Sequence, residues 1–179
     1  MLKKLYQEKF EADYVSSDLL TFDWSEIRAQ GIHLIFLDID NTLAGHGSTS
    51  PDAYAKEVTQ LLESFNFKLC ILSNAKSQRG LKYSKKLNLD YLGNAHKPSP
   101  KAIYKKLEDY GLSPKQCLLV GDQIFTDIWA GKNAGCHTLL VKQRFQEEVF
   151  YVKLKRLLER LLIKGYGNKK TKSIILTKP

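Results

Sequence analysis

Apolar runs alternate with amphipathic segments along most of the chain. Residues 32–37 and 69–72 are near-continuous apolar runs, as expected for strands that are buried on both faces. The segment from Ser50 to Phe65 begins with a serine–proline pair typical of a helix start, and its apolar residues fall on one helical face. Further strands are predicted near residues 91–92, 117–120 and 137–141, and further helices at about 76–87, 99–111, 124–134 and 147–163. The alternation predicts an α/β fold, a parallel sheet with helices on both faces.

The length of 179 residues favours one main domain with additions at both ends. We expect residues 31–145 to form the α/β domain and residues 1–30 to be an N-terminal extension that packs on it. Residues 146–164 are predicted to form a basic amphipathic helix, and residues 165–179 a flexible basic tail.

The basic charge of the chain is concentrated at its C-terminal end. The net charge is +9, and from Lys153 onward nine basic residues stand against a single acid, Glu159. The predicted last helix also has an apolar stripe, made of Phe150, Leu154, Leu157, Leu158, Leu161 and Leu162. Three interpretations remain open: the stripe packs on the sheet and the lysines are its solvated face, the helix lies on an anionic membrane, or the charge contacts nucleic acid or protein.

Composition excludes some classes of protein. The chain is 43% hydrophobic and 26% charged, which is typical of a globular protein, and no apolar run approaches the roughly 20 residues that span a bilayer. No apolar region follows the early lysines, so we expect a cytoplasmic protein with peripheral membrane contact as an option. The three cysteines lack the spacing of a zinc site or a disulfide framework, and we interpret them as core residues.

Three predicted strands end in polar residues that could carry chemistry. Residues 37–43 read Leu-Asp-Ile-Asp-Asn-Thr-Leu, residues 72–74 read Leu-Ser-Asn, and residues 120–127 read Val-Gly-Asp-Gln-Ile-Phe-Thr-Asp. In an extended chain Asp38 and Asp40 point to the same side, and such neighbouring carboxylates repel each other unless something compensates. A Mg²⁺ ion would explain why a third carboxylate, that of Asp122, is expected in the same place.

The same residue types suit a phosphate group. Lys97 supplies a fixed positive charge, Ser73 a hydroxyl, and the turn after Ser73 backbone N–H groups. One carboxylate of the Asp-x-Asp pair would attack phosphorus, and the one two residues on would protonate the leaving oxygen. Each motif alone could be an ordinary turn, and Lys101 competes with Lys97 for the role of the lysine. His46 is either a substrate contact or a flexible surface residue.

Taken in order, these motifs resemble those of the haloacid dehalogenase (HAD) superfamily: Asp-x-Asp-x-Thr, Ser, Lys, then Gly-Asp-x-x-x-x-Asp. The details look closest to the YqeG-like branch of class III (IIIA) HAD phosphatases, to which phosphatidylglycerophosphate phosphatases are related. Ala75 departs from that pattern, in which a second Asn is expected after Asn74. The resemblance implies a Rossmann-like fold and hydrolysis through an aspartyl-phosphate, with Mg²⁺ as cofactor.

The resemblance also implies roles for the motif residues. Asp38 would be nucleophile and metal ligand, and Asp40 the general acid/base, ligating the metal through its backbone carbonyl. The phosphate would be bound by Ser73, Asn74 and Lys97, the third metal ligand would be Asp122, and Thr42 and Asp127 would support the site.

The spacing of the motifs leaves no room for a cap domain, because residues 43–49 are few and residues 73–97 hold one helix and a short strand. An open site suits a phosphate on a large carrier, such as a phospholipid headgroup of the phosphatidylglycerophosphate type. The alternatives are a phosphatase for a nucleic-acid end or a phosphoprotein, and a non-catalytic binding module on the HAD scaffold.

Overall fold

A computed structural model of the protein describes residues 1–74, 78–145 and 150–176. Ala75 and the predicted helix start at residues 147–149 lie outside these ranges. The strands are β1 (Tyr14–Ser16), β2 (Leu34–Leu37), β3 (Lys68–Leu72), β4 (Asp90–Leu92), β5 (Cys117–Gly121) and β6 (His137–Val141). The helices are α1 (Leu2–Lys9), α2 (Trp24–Ala29), α3 (Ala53–Ser64), α4 (Gln78–Lys86), α5 (Lys101–Tyr110), α6 (Trp129–Ala134), α7 (Phe150–Tyr166) and α8 (Lys169–Ile175), with a π-helical turn at Ile124–Ile128. Among the helices of the described residues, none combines the length and the apolar character that crossing a membrane requires.

The strands form one parallel sheet in the order β1-β6-β5-β2-β3-β4, which confirms the predicted fold class. The central strand β2 pairs with β3 and with β5, so that Phe36 lies between Cys70 and Leu119. The edge strand β1 comes from the N-terminal extension and pairs with β6. The sequence did not predict β1, because three residues are too short to show a period-two pattern.

Helices cover both faces of the sheet, which explains why β2 is apolar at every position. Ile35 and Leu37 face a core shared with α2 and α3, whereas Leu34 and Phe36 face a core shared with α5 and α6. All three cysteines are free and lie buried in the second of these cores, as the sequence predicted. The alternating sides are those of an extended chain, whose successive side chains point to opposite faces.

Helix α3 begins two residues later than the serine–proline pair predicts. The N-cap is Asp52, whose carboxylate accepts a hydrogen bond from the backbone N–H of Ala55 at 2.8 Å. The same carboxylate also accepts one from Arg144 at 2.9 Å. Both aspartate and serine are favourable N-caps, and the additional ion pair favours the aspartate.

The C-terminal segment differs most from expectation. Four leucines of α7 are exposed, and among the described side chains of this helix the buried ones are Val152, Arg156, Glu159 and Ile163. The predicted flexible tail contains α8, whose N-cap Asn168 accepts a hydrogen bond from the backbone N–H of Thr171 at 2.8 Å. The isoleucines at the end of α8 pack with Ile163 in a small apolar cluster beside β1 and β6. The cap and this cluster explain why the segment after α7 is helical.

Candidate active site

The polar residues that follow β2, β3 and β5 meet at one edge of the sheet. Asp38 comes directly after β2, Ser73 directly after β3, and Asp122 directly after β5. The hydrogen-bonding ladder holds the first two in place, because Asp38 N donates to Val120 O and Ser73 N donates to Leu92 O, each at 3.0 Å. In open parallel sheets the carboxyl ends of the strands are where ligands bind.

The side chain of Lys97 enters this edge from the loop after β4 and joins two carboxylates. Its Nζ lies 2.6 Å from Asp38 Oδ1 and 2.6 Å from Asp127 Oδ1, and it donates to Leu72 O at 3.0 Å. Burial lowers the pKa of Lys97, but Asp127 and Asp38 outweigh it and raise the pKa overall. The lysine is therefore charged. The competitor Lys101 is exposed on α5, so the structure brings Lys97 and not Lys101 to the aspartates.

Three carboxylates are close enough to share a cation. Asp38, Asp122 and Asp127 each offer an oxygen within 4.8 Å of the others, and all three residues are buried or nearly so. Burial raises the pKa of Asp38 and the neighbouring carboxylates add to it, whereas Lys97 lowers it. Buried oxygen donors of this kind fit a hard divalent cation, which would relieve the repulsion among them. Asp40 contributes no carboxylate oxygen to this cluster.

The carboxylate of Asp40 is held by other partners. Arg79 NH2 lies 2.7 Å from Asp40 Oδ2, and the backbone N–H of Gly47 donates to Oδ1 at 3.3 Å. The ring of His46 lies 3.7 Å from the same oxygen. Asn41 has a φ of 63°, a left-handed conformation that turns the chain directly after Asp40. The Asp-x-Asp pair thus has one carboxylate beside Lys97 and one beside Arg79.

Asn74 connects the second and third motifs. Its Nδ2 donates to Lys97 O at 3.0 Å, and Lys97 N donates to its Oδ1 at 2.6 Å. The side-chain amide therefore positions the backbone of Lys97, a different role from the phosphate binding that the resemblance implies. Ser73 and Thr42 are both buried.

The last motif depends on the absence of a side chain at Gly121. A Cβ added there would overlap the carboxylate of Asp127, which folds back over the end of β5. Asp127 Oδ1 accepts from Lys97, and its Oδ2 accepts from the backbone N–H of Gln123 at 3.1 Å. The π-helical turn at Ile124–Ile128 brings Asp127 back toward Gly121.

Residues 94–148 match the model of the HAD-hydrolase-like family. Over 169 residues the chain is 25% identical to the probable phosphatase YqeG of Bacillus subtilis, covering 94% of this chain and 96% of that protein. Both comparisons show a likeness to HAD-type hydrolases, with the family model matching about a third of the chain.

Other similar proteins match over shorter stretches or in fold alone. A phosphoglycolate phosphatase of Aquifex aeolicus is 35% identical over 111 residues, which cover 53% of this chain and 51% of that protein. The cobalt-bound deoxy-D-mannose-octulosonate 8-phosphate phosphatase of Haemophilus influenzae superposes with a TM-score of 0.52 at 14% identity, covering 79% of this chain and 93% of that chain. In the described part of the chain, α4 and β4 fill the segment between Ser73 and Lys97, and no cap domain is inserted there.

Two residues of α7 reach this site, and sequence reasoning missed both. Arg156 is buried, donates to Asp122 O at 2.7 Å, and forms an ion pair with the Asp122 carboxylate. Glu159 accepts from the backbone N–H of Phe125 at 2.9 Å, and burial raises its pKa to about 7 against the opposing effect of Arg156. Both residues lie off the leucine stripe, and periodicity shows which residues share a face but not what that face contacts.

Arg144, after β6, holds the loop that carries Asp40. Its side chain donates to Leu43 O, its backbone N donates to Asn41 O at 3.1 Å, and its guanidinium lies 3.9 Å from the ring centroid of Tyr54. Arg144 also pairs with Asp52, the N-cap of α3. Arg144 thus connects the Asp-x-Asp loop to α3. Sequence reasoning missed it because Leu43 and Asp52 lie 101 and 92 positions away along the chain.

Proposed function

We propose that the protein is a Mg²⁺-dependent phosphomonoester hydrolase that works through an aspartyl-phosphate on Asp38. The observation that carries the proposal is the buried lysine Lys97, which bridges Asp38 and Asp127 at the edge where Asp122 also lies. A fixed cation beside clustered carboxylates suits a bound phosphate dianion together with a metal ion. The likeness to a probable phosphatase over nearly the whole chain supports the same reaction class.

Each residue of the site has a separate role in the proposed reaction. An oxygen of Asp38 attacks phosphorus, the bond to the leaving oxygen breaks, and Asp40 gives that oxygen its proton. Asp40 then removes a proton from water, which attacks the aspartyl-phosphate and releases phosphate and free Asp38. Lys97 and the Ser73 hydroxyl bind the phosphate oxygens. Mg²⁺, held by Asp38, Asp122 and the backbone carbonyl of Asp40, would neutralise negative charge on the phosphate.

The substrate we propose is a phosphate carried by a large molecule, specifically a phospholipid headgroup of the phosphatidylglycerophosphate type. The support is the short connection between Ser73 and Lys97, which leaves the site without a cap in the described residues, and the basic C-terminal segment. Such a segment favours anionic surfaces, where peripheral contact brings enzyme and lipid together.

The test is phosphate release from a panel of soluble phosphomonoesters and phosphatidylglycerophosphate, with Mg²⁺ and with a chelator. The proposal requires Mg²⁺-dependent release, with the lipid turned over better than the soluble esters. Preference for a soluble ester, a nucleic-acid end or a phosphoprotein would overturn the lipid assignment alone. Mg²⁺ binding without release from any phosphoester would favour a non-catalytic binding module.

We expect Arg79→Gln to slow the enzyme in a way that depends on the leaving group. Arg79 holds Asp40 at 2.7 Å and also donates to Ser48 O at 3.1 Å, so its loss should misplace the general acid. General acid–base catalysis contributes about 10²–10⁴-fold, and we expect the rate of phosphoenzyme formation from alkyl phosphates, measured in a single turnover, to fall by roughly tenfold or more. The fall should be much smaller on p-nitrophenyl phosphate, whose leaving group needs no proton.

The matched control for this variant is Lys82→Gln, which removes an exposed cation from the same helix. Arg79→Lys should recover part of the activity, because an ammonium can still donate to Asp40. An equal loss on both substrates would contradict a role through the general acid and would point to phosphate binding.

A further inference from the structure

Helix α7 presents an exposed row of leucines, which we call the leucine face. It consists of Leu154, Leu157, Leu158 and Leu161, which are 52%, 56%, 49% and 58% exposed. Their spacing places them on one side of the helix. Single exposed leucines are ordinary, but a contiguous apolar row on one helix is typical of a surface that contacts something.

The orientation of α7 explains why the leucine face is exposed. The opposite side of the helix is anchored by charged groups, with Arg156 on Asp122 and Glu159 on the backbone N–H of Phe125. Ile163 packs into the apolar cluster beside β1. Turning the helix to bury its leucines would remove both charged anchors from the active-site edge. The most apolar side of α7 therefore faces away from the rest of the described chain.

Helix α1 extends the apolar surface. Leu2 and Leu5 are 60% and 46% exposed, and they line an apolar groove of about 470 Å³ together with Leu158 and Leu161. The two helices are in contact, since the rings of Tyr6 and Tyr166 lie 6.0 Å apart. We call the leucine face together with Leu2 and Leu5 the docking surface.

Cations surround the docking surface. Lys3 and Lys4 are exposed on α1, and Lys153, Arg160 and Lys164 are exposed on α7. A second copy of this chain would bring the same positive charges together, which disfavours self-association through this surface. The charge instead complements an anionic partner.

We infer that the docking surface binds the face of an anionic lipid bilayer. The leucines would enter the boundary between headgroups and acyl chains, and the flanking lysines and arginine would reach the lipid phosphates. The exposed apolar side chains are leucines, which suit a fluid acyl phase, whereas protein interfaces are enriched in aromatic residues and arginine. On the opposite side of the same helix Arg156 pairs with Asp122, so the helix that contacts the bilayer also contacts the active site.

The inference extends the lipid hypothesis for the substrate but does not rest on turnover. The test is sedimentation of the full chain with vesicles of phosphatidylcholine alone or mixed with phosphatidylglycerol. We expect binding to the mixed vesicles and weaker binding as salt is added. Leu157→Gln should weaken binding by roughly tenfold. Lys153→Gln with Lys164→Gln should weaken it by roughly thirtyfold.

Matched controls lie elsewhere on the surface. Leu81→Gln changes an exposed leucine of α4, and Lys82→Gln with Lys105→Gln makes the same change of charge on α4 and α5. Neither control should alter binding, and all variants should unfold at the temperature of the wild type.

Absence of binding to mixed vesicles, or equal weakening by the controls, would overturn the inference. Self-association that depends on Leu157 would show that a second copy covers the surface. Vesicle binding without phosphate release would leave this inference standing and overturn only the proposed reaction.

Discussion

Asp38→Asn should lower phosphate release by about a thousandfold or more, because the amide cannot act as the nucleophile that forms the aspartyl-phosphate. Asp38 follows β2 and lies 2.6 Å from Lys97 Nζ, whereas the carboxylate of Asp40 lies beside Arg79. The measurement is steady-state phosphate release with Mg²⁺, together with trapping of labelled phosphoenzyme after acid quenching. The variant should form no phosphoenzyme.

Asp40→Asn separates the two steps of the reaction. It keeps the nucleophile and should still form phosphoenzyme from p-nitrophenyl phosphate, while its turnover falls by about 10²–10⁴-fold because water is no longer activated. Asp109→Asn is the matched control, since it alters an exposed carboxylate of α5. Phosphoenzyme formed by Asp38→Asn would contradict Asp38 as the nucleophile. Absence of phosphoenzyme in Asp40→Asn would contradict the assignment of Asp40 to acid–base catalysis alone.

The strand ends could be predicted from the sequence, whereas contacts made across the fold could not. The apolar runs before Asp38, Ser73 and Asp122 predicted parallel strands, and the topology of such sheets brings their ends together. The partners of Asp40 and Asp122 were missed, because Arg79 and Arg156 approach from helices whose packing the local pattern does not specify.

Helix α7 shows the limit of reading burial from periodicity. The leucine repeat correctly indicates one apolar side, but the side that packs against the domain carries Arg156 and Glu159. Hydrogen bonds to charged groups at the active-site edge determine this orientation, and they involve partners more than 30 residues away in the chain. Helix α8 was missed for a related reason: its helix depends on the Asn168 cap and on isoleucines that contact Ile163.

Lys97→Met should destabilise the fold as well as abolish activity. The side chain of Lys97 is 2% exposed and that of Asp127 is 1% exposed, so the ion pair between them is removed from water. Without the ammonium, Asp127 and Asp38 remain as neighbouring buried carboxylates with no cation in the metal-free protein. Removing one partner of a buried pair costs about 3–5 kcal/mol, because the other charge stays desolvated.

Urea unfolding with a chelator present measures this cost. We expect the free energy of unfolding of Lys97→Met to fall by about 3–5 kcal/mol at neutral pH. Lys101→Met is the matched control, because it removes an exposed lysine at the start of α5 and should change stability by no more than about 0.5 kcal/mol. Equal stability of the two variants would show that the bridge between Asp38 and Asp127 contributes little, and the lysine would then serve phosphate binding alone. A large loss confined to Lys97→Met would show that Lys97 stabilises the metal-free fold.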